Sequence, residues 1–91
     1  MSIYLVEGIK EGDEKPRLGT EGKEIHENKY KSFESLEKYC IKRMLKKYPR
    51  IFVSVYYADN IYGEPHSMWE YSRCENYRGY SVNRIYPENE N

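Results

Sequence analysis

Two histidines and two cysteines are the side chains best suited to metal binding or nucleophilic catalysis, namely His26, Cys40, His66 and Cys74. Structural zinc sites usually contain pairs of ligands about two to five residues apart, and no two of these four residues have that spacing. The sequence also lacks a recognisable oxyanion-hole loop that would support a Cys and His pair. We therefore expect neither a metal site nor a catalytic cysteine.

Carboxylates and glycines form no catalytic motif either. The chain has fifteen acidic residues, but no pair is framed by apolar residues that would raise a carboxyl pKa for general acid catalysis. The early glycines do not form the phosphate-binding patterns G-x-x-x-x-G-K-[ST] or G-x-G-x-x-G. We expect no cofactor, and the sequence does not favour an enzyme.

Basic residues are concentrated in the middle of the chain. Residues 29–50 contain eight basic and two acidic residues, a net charge of +6, whereas the whole chain has fifteen of each sign. Such a segment can contact nucleic-acid phosphates. The residues predicted to do so are Lys42, Arg43, Lys46, Lys47 and Arg50. The Tyr-rich strands could add stacking and phosphate contacts through Arg73, Arg78 and Arg84. Nucleic-acid binding is the alternative hypothesis, because the chain is neutral overall and has no RNA-recognition motif.

Aromatic residues suggest a different surface, since eleven tyrosines accompany one tryptophan. Side chains alternate along a strand, and we expect one sheet face, turned away from the helix, to carry Phe52, Tyr56, Trp69, Tyr71 and Arg73. Tyr, Trp and Arg are enriched at interface hot spots. The predicted protein-binding residues are therefore Tyr56, Trp69, Tyr71 and Arg73, with Tyr62 and Tyr77 at loop tips.

Two further roles for these aromatic residues stay open: cross-strand pairs that stabilise the sheet, and a homodimer interface. The first hypothesis is a non-enzymatic module that binds a protein partner stoichiometrically, in the manner of small phage early proteins that modulate a host protein. Lys, Asn, Ile and Tyr are abundant and share AT-rich codons, and this composition agrees with a phage of low-GC bacteria. Because no signal peptide or transmembrane segment is evident, we expect a cytoplasmic location and no membrane partner.

An amphipathic helix, predicted over residues 32–48, should organise the fold. Its apolar residues recur three or four positions apart, at Phe33, Leu36, Cys40, Ile41, Met44, Leu45 and Tyr48. Ser32 is the predicted N-cap, and Pro49 should end the helix. The lysines of the second half also have a structural role, because cations are favoured near a helix C-terminus.

Strands are predicted over residues 2–7, 51–57, 66–74 and 80–86, with a short edge strand at 24–30. The first strand is apolar on both faces, which predicts a central or largely covered strand. Residues 8–23 are predicted to be a flexible loop and 87–91 a frayed acidic tail. The order β-α-β-β-β predicts one α+β domain over 1–91, with a mainly antiparallel sheet of about four strands and the helix on one face.

Overall fold

One antiparallel sheet and one helix make up the part of the chain that the computed structural model describes, which is residues 2–14, 22–26, 33–57, 59 and 63–87. The strands are β1 (Ser2–Ile9), β2 (Gly22–His26), β3 (Arg50–Tyr57), β4 (Ser67–Arg73) and β5 (Tyr80–Tyr86). The helix, α1 (residues 33–45), lies between β2 and β3 in the chain. The predicted α+β class and order are confirmed, and β2 adds an edge strand within the candidate segment 24–30, of which residues 27–30 lie outside the described residues.

The five strands lie in the order β2-β1-β3-β4-β5, and each neighbouring pair is antiparallel. β3, β4 and β5 follow one another in the chain and lie side by side, so they form a meander. Their connections can be short because neighbouring strands are antiparallel. β1 pairs with both β2 and β3, which is the central position that its two apolar faces predict.

Helix α1 consists of three consecutive stretches: α-helical Phe33–Leu36, π-helical Glu37–Ile41 and α-helical Lys42–Leu45. In the π-helical stretch the backbone N–H of Lys42 donates to the carbonyl of Glu37, five residues earlier. The N–H of Tyr48 donates to the carbonyl of Met44 at 2.8 Å, so helical bonding ends just before Pro49, as predicted. The predicted N-cap, Ser32, lies outside the described residues.

The apolar face of the helix packs on the sheet, as its spacing predicts. One core cluster contains Leu36, Cys40, Ile41, Met44, Leu45 and Tyr48 from the helix side and Val6, Ile51, Val53, Val55, Tyr71 and Tyr80 from the sheet. Packing is tight at Gly8 of β1, where a Cβ atom would lie 2.6 Å from Cγ of Tyr48. A larger residue at this position would displace the Tyr48 ring, because protein interiors are close-packed.

The register of β4 differs from the prediction. Tyr71 lies opposite Ile51 and Trp69 lies opposite Val53, and directly opposed residues of an antiparallel pair have side chains on the same face. Since Ile51 and Val53 belong to the core under the helix, Trp69 and Tyr71 also face the helix. The prediction that Trp69, Tyr71 and Arg73 lie on the outer face is therefore wrong.

The loops differ from the prediction at their ends. β1 continues to Ile9 and β2 begins at Gly22, so the flexible loop predicted at 8–23 is too long on both sides. Strand pairing includes a glycine at each end of the predicted loop: Gly8 pairs with Ile51, and Gly22 pairs with Glu7. Residues 15–21 and 88–91 lie outside the described residues, which leaves most of the predicted acidic tail without description.

Candidate functional site

The predicted aromatic binding residues divide between the two sides of the sheet. Tyr71 is 1% exposed, and Trp69 packs against the same core cluster. Arg73 donates from Nε to the carbonyl of Leu45 at the end of the helix. These three residues lie on the helix side, whereas Tyr56 is half-buried on the outer face, so they form no common surface.

The two predicted loop-tip tyrosines have different outcomes. Tyr62 lies outside the described residues. Tyr77 is 96% exposed in the loop between β4 and β5, as expected for a loop tip. Its ring lies 5.8 Å from the guanidinium of the neighbouring Arg78.

The predicted nucleic-acid-binding residues of the helix fall into two groups. Lys42 and Lys46 line a cleft between the helix and the β4–β5 loop. Arg43 and Lys47 are exposed but do not line that cleft. The basic face of the helix therefore contributes two cations to a concave surface and two to the surface outside it.

Arg50 lies apart from the other predicted nucleic-acid contacts. Its Nε donates to Oε2 of Glu70 at 3.0 Å, on the outer face of the sheet. Its terminal nitrogens donate to the carbonyls of Asp13 at 2.8 Å and Glu14 at 3.2 Å. Arg50 follows Pro49 in sequence, but strand alternation turns its side chain away from the helix and pairs it with a carboxylate.

The basic cleft lies where the C-terminal half of the helix faces the β4–β5 loop. It has a volume of about 520 Å³ and is lined by Lys42, Leu45, Lys46, Arg73, Arg78, Gly79 and Tyr80. Four of these residues are cationic, and no acidic residue from the described part of the chain lines the cleft. An anion in the cleft would meet positive charge from both the helix and the hairpin.

Asn76 fixes the hairpin side of the cleft. Its Oδ1 accepts hydrogen bonds from the backbone N–H groups of Arg78, Gly79 and Tyr80 at 3.0, 2.7 and 3.2 Å. Gly79 closes the loop in the left-handed region, at φ +85°. The Arg78 guanidinium lies 4.9 Å and Lys42 Nζ 5.9 Å from the centre of the Tyr80 ring, both within cation–π distance.

Glu37 joins the helix to the sheet beside the cleft. Its carboxylate accepts hydrogen bonds from the hydroxyl of Tyr71 at 2.8 Å and that of Tyr80 at 2.5 Å. Burial raises the pKa of both tyrosines, and their hydrogen bonds to the carboxylate raise it further. Both phenols therefore stay neutral at physiological pH, and Tyr80 adds an aromatic ring but no negative charge to the cleft.

A second cleft of about 420 Å³ adjoins the first and shares Lys42 and Tyr80 with it. Tyr39, which is 50% exposed, lines this second cleft. Nζ of Lys38 lies 5.3 Å from the centre of the Tyr39 ring. An exposed tyrosine thus lies next to the basic cleft on the helix side, as Tyr77 does on the hairpin side.

Metal binding requires a cluster of ligand side chains, and a helix that spans a membrane requires a long apolar stretch. No group of three or more His, Cys, Asp or Glu side chains among them could hold a metal ion. No helix within the described ranges is long and apolar enough to cross a membrane. No protein-family model, curated protein or solved structure matches this chain. Within the described residues, the basic cleft and the two tyrosines beside it combine positive charge with exposed aromatic rings.

Sequence reasoning did not identify Glu37, Tyr39 or Tyr80 as parts of the site. It named Arg73 and Arg78 only as arginines of the Tyr-rich strands that could add phosphate contacts, and both line the cleft. The position of Arg78 has a sequence signal, because the short loop that begins with Asn76 and ends with Gly79 is typical of a turn of defined geometry. Glu37 gives no comparable signal, since its two tyrosine partners are 34 and 43 residues away.

Proposed function

We propose that the protein is a non-enzymatic nucleic-acid-binding protein and that the basic cleft holds the sugar–phosphate backbone. The observation that carries this proposal is the convergence of Lys42 and Lys46 with Arg73 and Arg78 around one concave surface. Contacts from Lys and Arg to phosphates supply most of the affinity in sequence-independent binding. A chain with zero net charge can bind in this way, because salt screens charges beyond about 8 Å at physiological ionic strength.

Charge reversal within the cleft tests the proposal. Lys42 and Lys46 are exposed, so the variant Lys42→Glu/Lys46→Glu should fold like the wild type. We expect it to abolish binding of a fluorescent oligonucleotide, measured by anisotropy, because two attractive phosphate contacts become repulsive. Lys10→Glu controls for a charge reversal outside the cleft, since Lys10 is exposed but does not line the cleft, and it should retain most of the affinity.

The salt dependence of binding provides a second measurement on the same proteins. Each phosphate contact to a single strand contributes about 0.7 to the slope of log affinity against log salt, so Lys46→Gln should reduce the slope by about that amount. Absence of nucleic-acid binding by the wild type contradicts the proposal. So does an equal loss of affinity in the cleft variant and in the Lys10→Glu control.

A protein interface on the outer face of the sheet is the second candidate function. The register places Phe52, Tyr56, Met68 and Tyr86 on that face, with Tyr86 40% exposed and the others half-buried. Aromatic residues and Met are enriched in the centres of interfaces. A complex or homodimer closed by this face should be lost in Tyr56→Ala and kept in Lys42→Glu/Lys46→Glu, as measured by sedimentation.

A further inference from the structure

Fold stability does not explain the exposed Tyr77 ring beside the cleft. Tyr77 is 96% exposed, so its ring removes almost no apolar surface from water when the chain folds. Tyr39 is 50% exposed and lines the second cleft, which shares Lys42 and Tyr80 with the basic cleft. Each ring lies near a cation, Arg78 at 5.8 Å and Lys38 at 5.3 Å. Both rings are thus presented to solvent next to positive charge.

Aromatic and cationic groups alternate across this surface, in the series Tyr39, Lys42, Tyr80, Arg78 and Tyr77. Proteins that bind single strands combine a cationic groove along the backbone with aromatic side chains on which bases stack. The bases of a duplex are stacked on one another and present only their edges in the grooves. Tyr39 and Tyr77 would therefore find a stacking partner on a single strand but not on an intact duplex.

We infer, building on the proposed function, that the ligand is a single-stranded nucleic acid whose bases stack on Tyr77 and Tyr39 while its backbone crosses the basic cleft. The strand needs no sequence-specific contact, because every base has a face on which a ring can stack. A duplex bound on the outer side of the helix would instead use Arg43 and Lys47, which do not line the cleft.

Anisotropy titrations with an oligothymidylate and with a duplex of the same length test this inference. We expect the wild type to prefer the single strand. Tyr77→Ala should weaken single-strand binding by about fivefold or more, as removal of one base-stacking ring does, and should leave duplex binding unchanged. Tyr77→Phe keeps the ring and should retain the wild-type affinity. Because Tyr77 is almost fully exposed, these variants should melt at the wild-type temperature.

Equal wild-type affinity for the two probes would overturn the single-strand inference, and so would a Tyr77→Ala protein that binds oligothymidylate as tightly as the wild type. If Lys42→Glu/Lys46→Glu still abolishes binding in either case, the proposed function stands without its single-strand preference. A loss of affinity in Arg43→Glu together with no effect of Tyr77→Ala would favour the duplex arrangement and also overturn the inference. A wild-type protein that binds neither probe, but binds an acidic protein through the cleft, would overturn the proposed function itself.

Discussion

Replacing Glu37 with alanine removes the carboxylate that accepts hydrogen bonds from two buried tyrosines. Tyr71 and Tyr80 are 1% and 4% exposed, so their hydroxyls lose a partner where water has little access. Each unsatisfied buried donor costs about 1 to 3 kcal/mol. Since Glu37 lines the open second cleft, water can replace part of the lost bonding. We therefore expect Glu37→Ala to lower the free energy of unfolding by about 2 to 4 kcal/mol, a large part of the about 5 to 15 kcal/mol typical of a domain.

A double-mutant cycle separates the two hydrogen bonds from a general effect of the substitution. In the Tyr71→Phe background one of the two donors is absent, so Glu37→Ala should cost about half as much as in the wild type. Glu37→Gln keeps one acceptor oxygen and should have an intermediate effect. Glu64→Gln is the control, because Glu64 is exposed and such surface changes stay within about 0.5 kcal/mol.

Urea unfolding followed by the fluorescence of Trp69, the single tryptophan, measures these differences. The dependence on urea should keep its slope, so that midpoint shifts report stability. A Glu37→Ala protein within about 0.5 kcal/mol of the wild type would contradict the role of the carboxylate. An equal cost in the wild-type and Tyr71→Phe backgrounds would show that the cost does not arise from the hydrogen bond to Tyr71.

The same carboxylate contributes to an alkaline pH dependence. Burial and the hydrogen bonds to Glu37 raise the pKa of Tyr71 and Tyr80 in the folded protein. Stability from these groups is therefore full at neutral pH and decreases as the pH rises above about 10, where unfolded tyrosines ionise first. Glu37→Ala removes one cause of the raised pKa, so the decline in its free energy of unfolding should be shallower. A steeper decline would contradict this assignment.

Two further predictions concern the core and the outer sheet face. Cys40 is 5% exposed, so Cys40→Ser should lower the free energy of unfolding by about 1 to 3 kcal/mol, because it buries a hydroxyl. Cys74 is exposed, and Cys74→Ser should have no effect. Equal unfolding curves for both variants would contradict the packing of Cys40. Burial raises the pKa of Glu7, so its charged form is disfavoured in the folded state and stability falls as the pH rises through that pKa. Glu7→Gln should be more stable than the wild type at about pH 7 and equally stable at about pH 3, and a less stable variant at neutral pH would contradict this sign.

The helix and most strands could be predicted because burial of one face imposes a local period on the sequence. Leu36, Cys40 and Met44 show the helical spacing, and all three are buried. The π-helical stretch has no such signature. A π-helical turn contains one residue more than an α-helical turn, and the adjacent apolar residues Cys40 and Ile41 fit a buried stripe in either kind of turn. Local pattern therefore predicts the presence of the helix but not the position of Glu37 relative to the sheet.

The distribution of residues between the two sheet faces could not be predicted in the same way. Alternation divides β4 into two sets, but Met68 and Trp69 are both large and apolar, so composition does not show which set faces the helix. Pairing of Trp69 with Val53 decides the question, and that contact is not local in sequence. The basic cleft depends on the same long-range packing, since Lys46 follows the helix and Arg78 lies in the β4–β5 loop.

Four cations around one cleft repel one another, so their arrangement costs stability unless neighbouring groups compensate. Arg73 is compensated, because it donates to the carbonyl of Leu45 at the C-terminal end of the helix, and Lys46 lies at the same end, where positive charge is favourable. Arg78 differs, since its guanidinium lies over the rings of Tyr77 and Tyr80 in the described part of the chain. A guanidinium stacked on a ring still presents N–H donors in its plane to a phosphate. Arg78 thus combines a stabilising contact with the buried Tyr80 ring and N–H groups that could donate to an anion in the cleft.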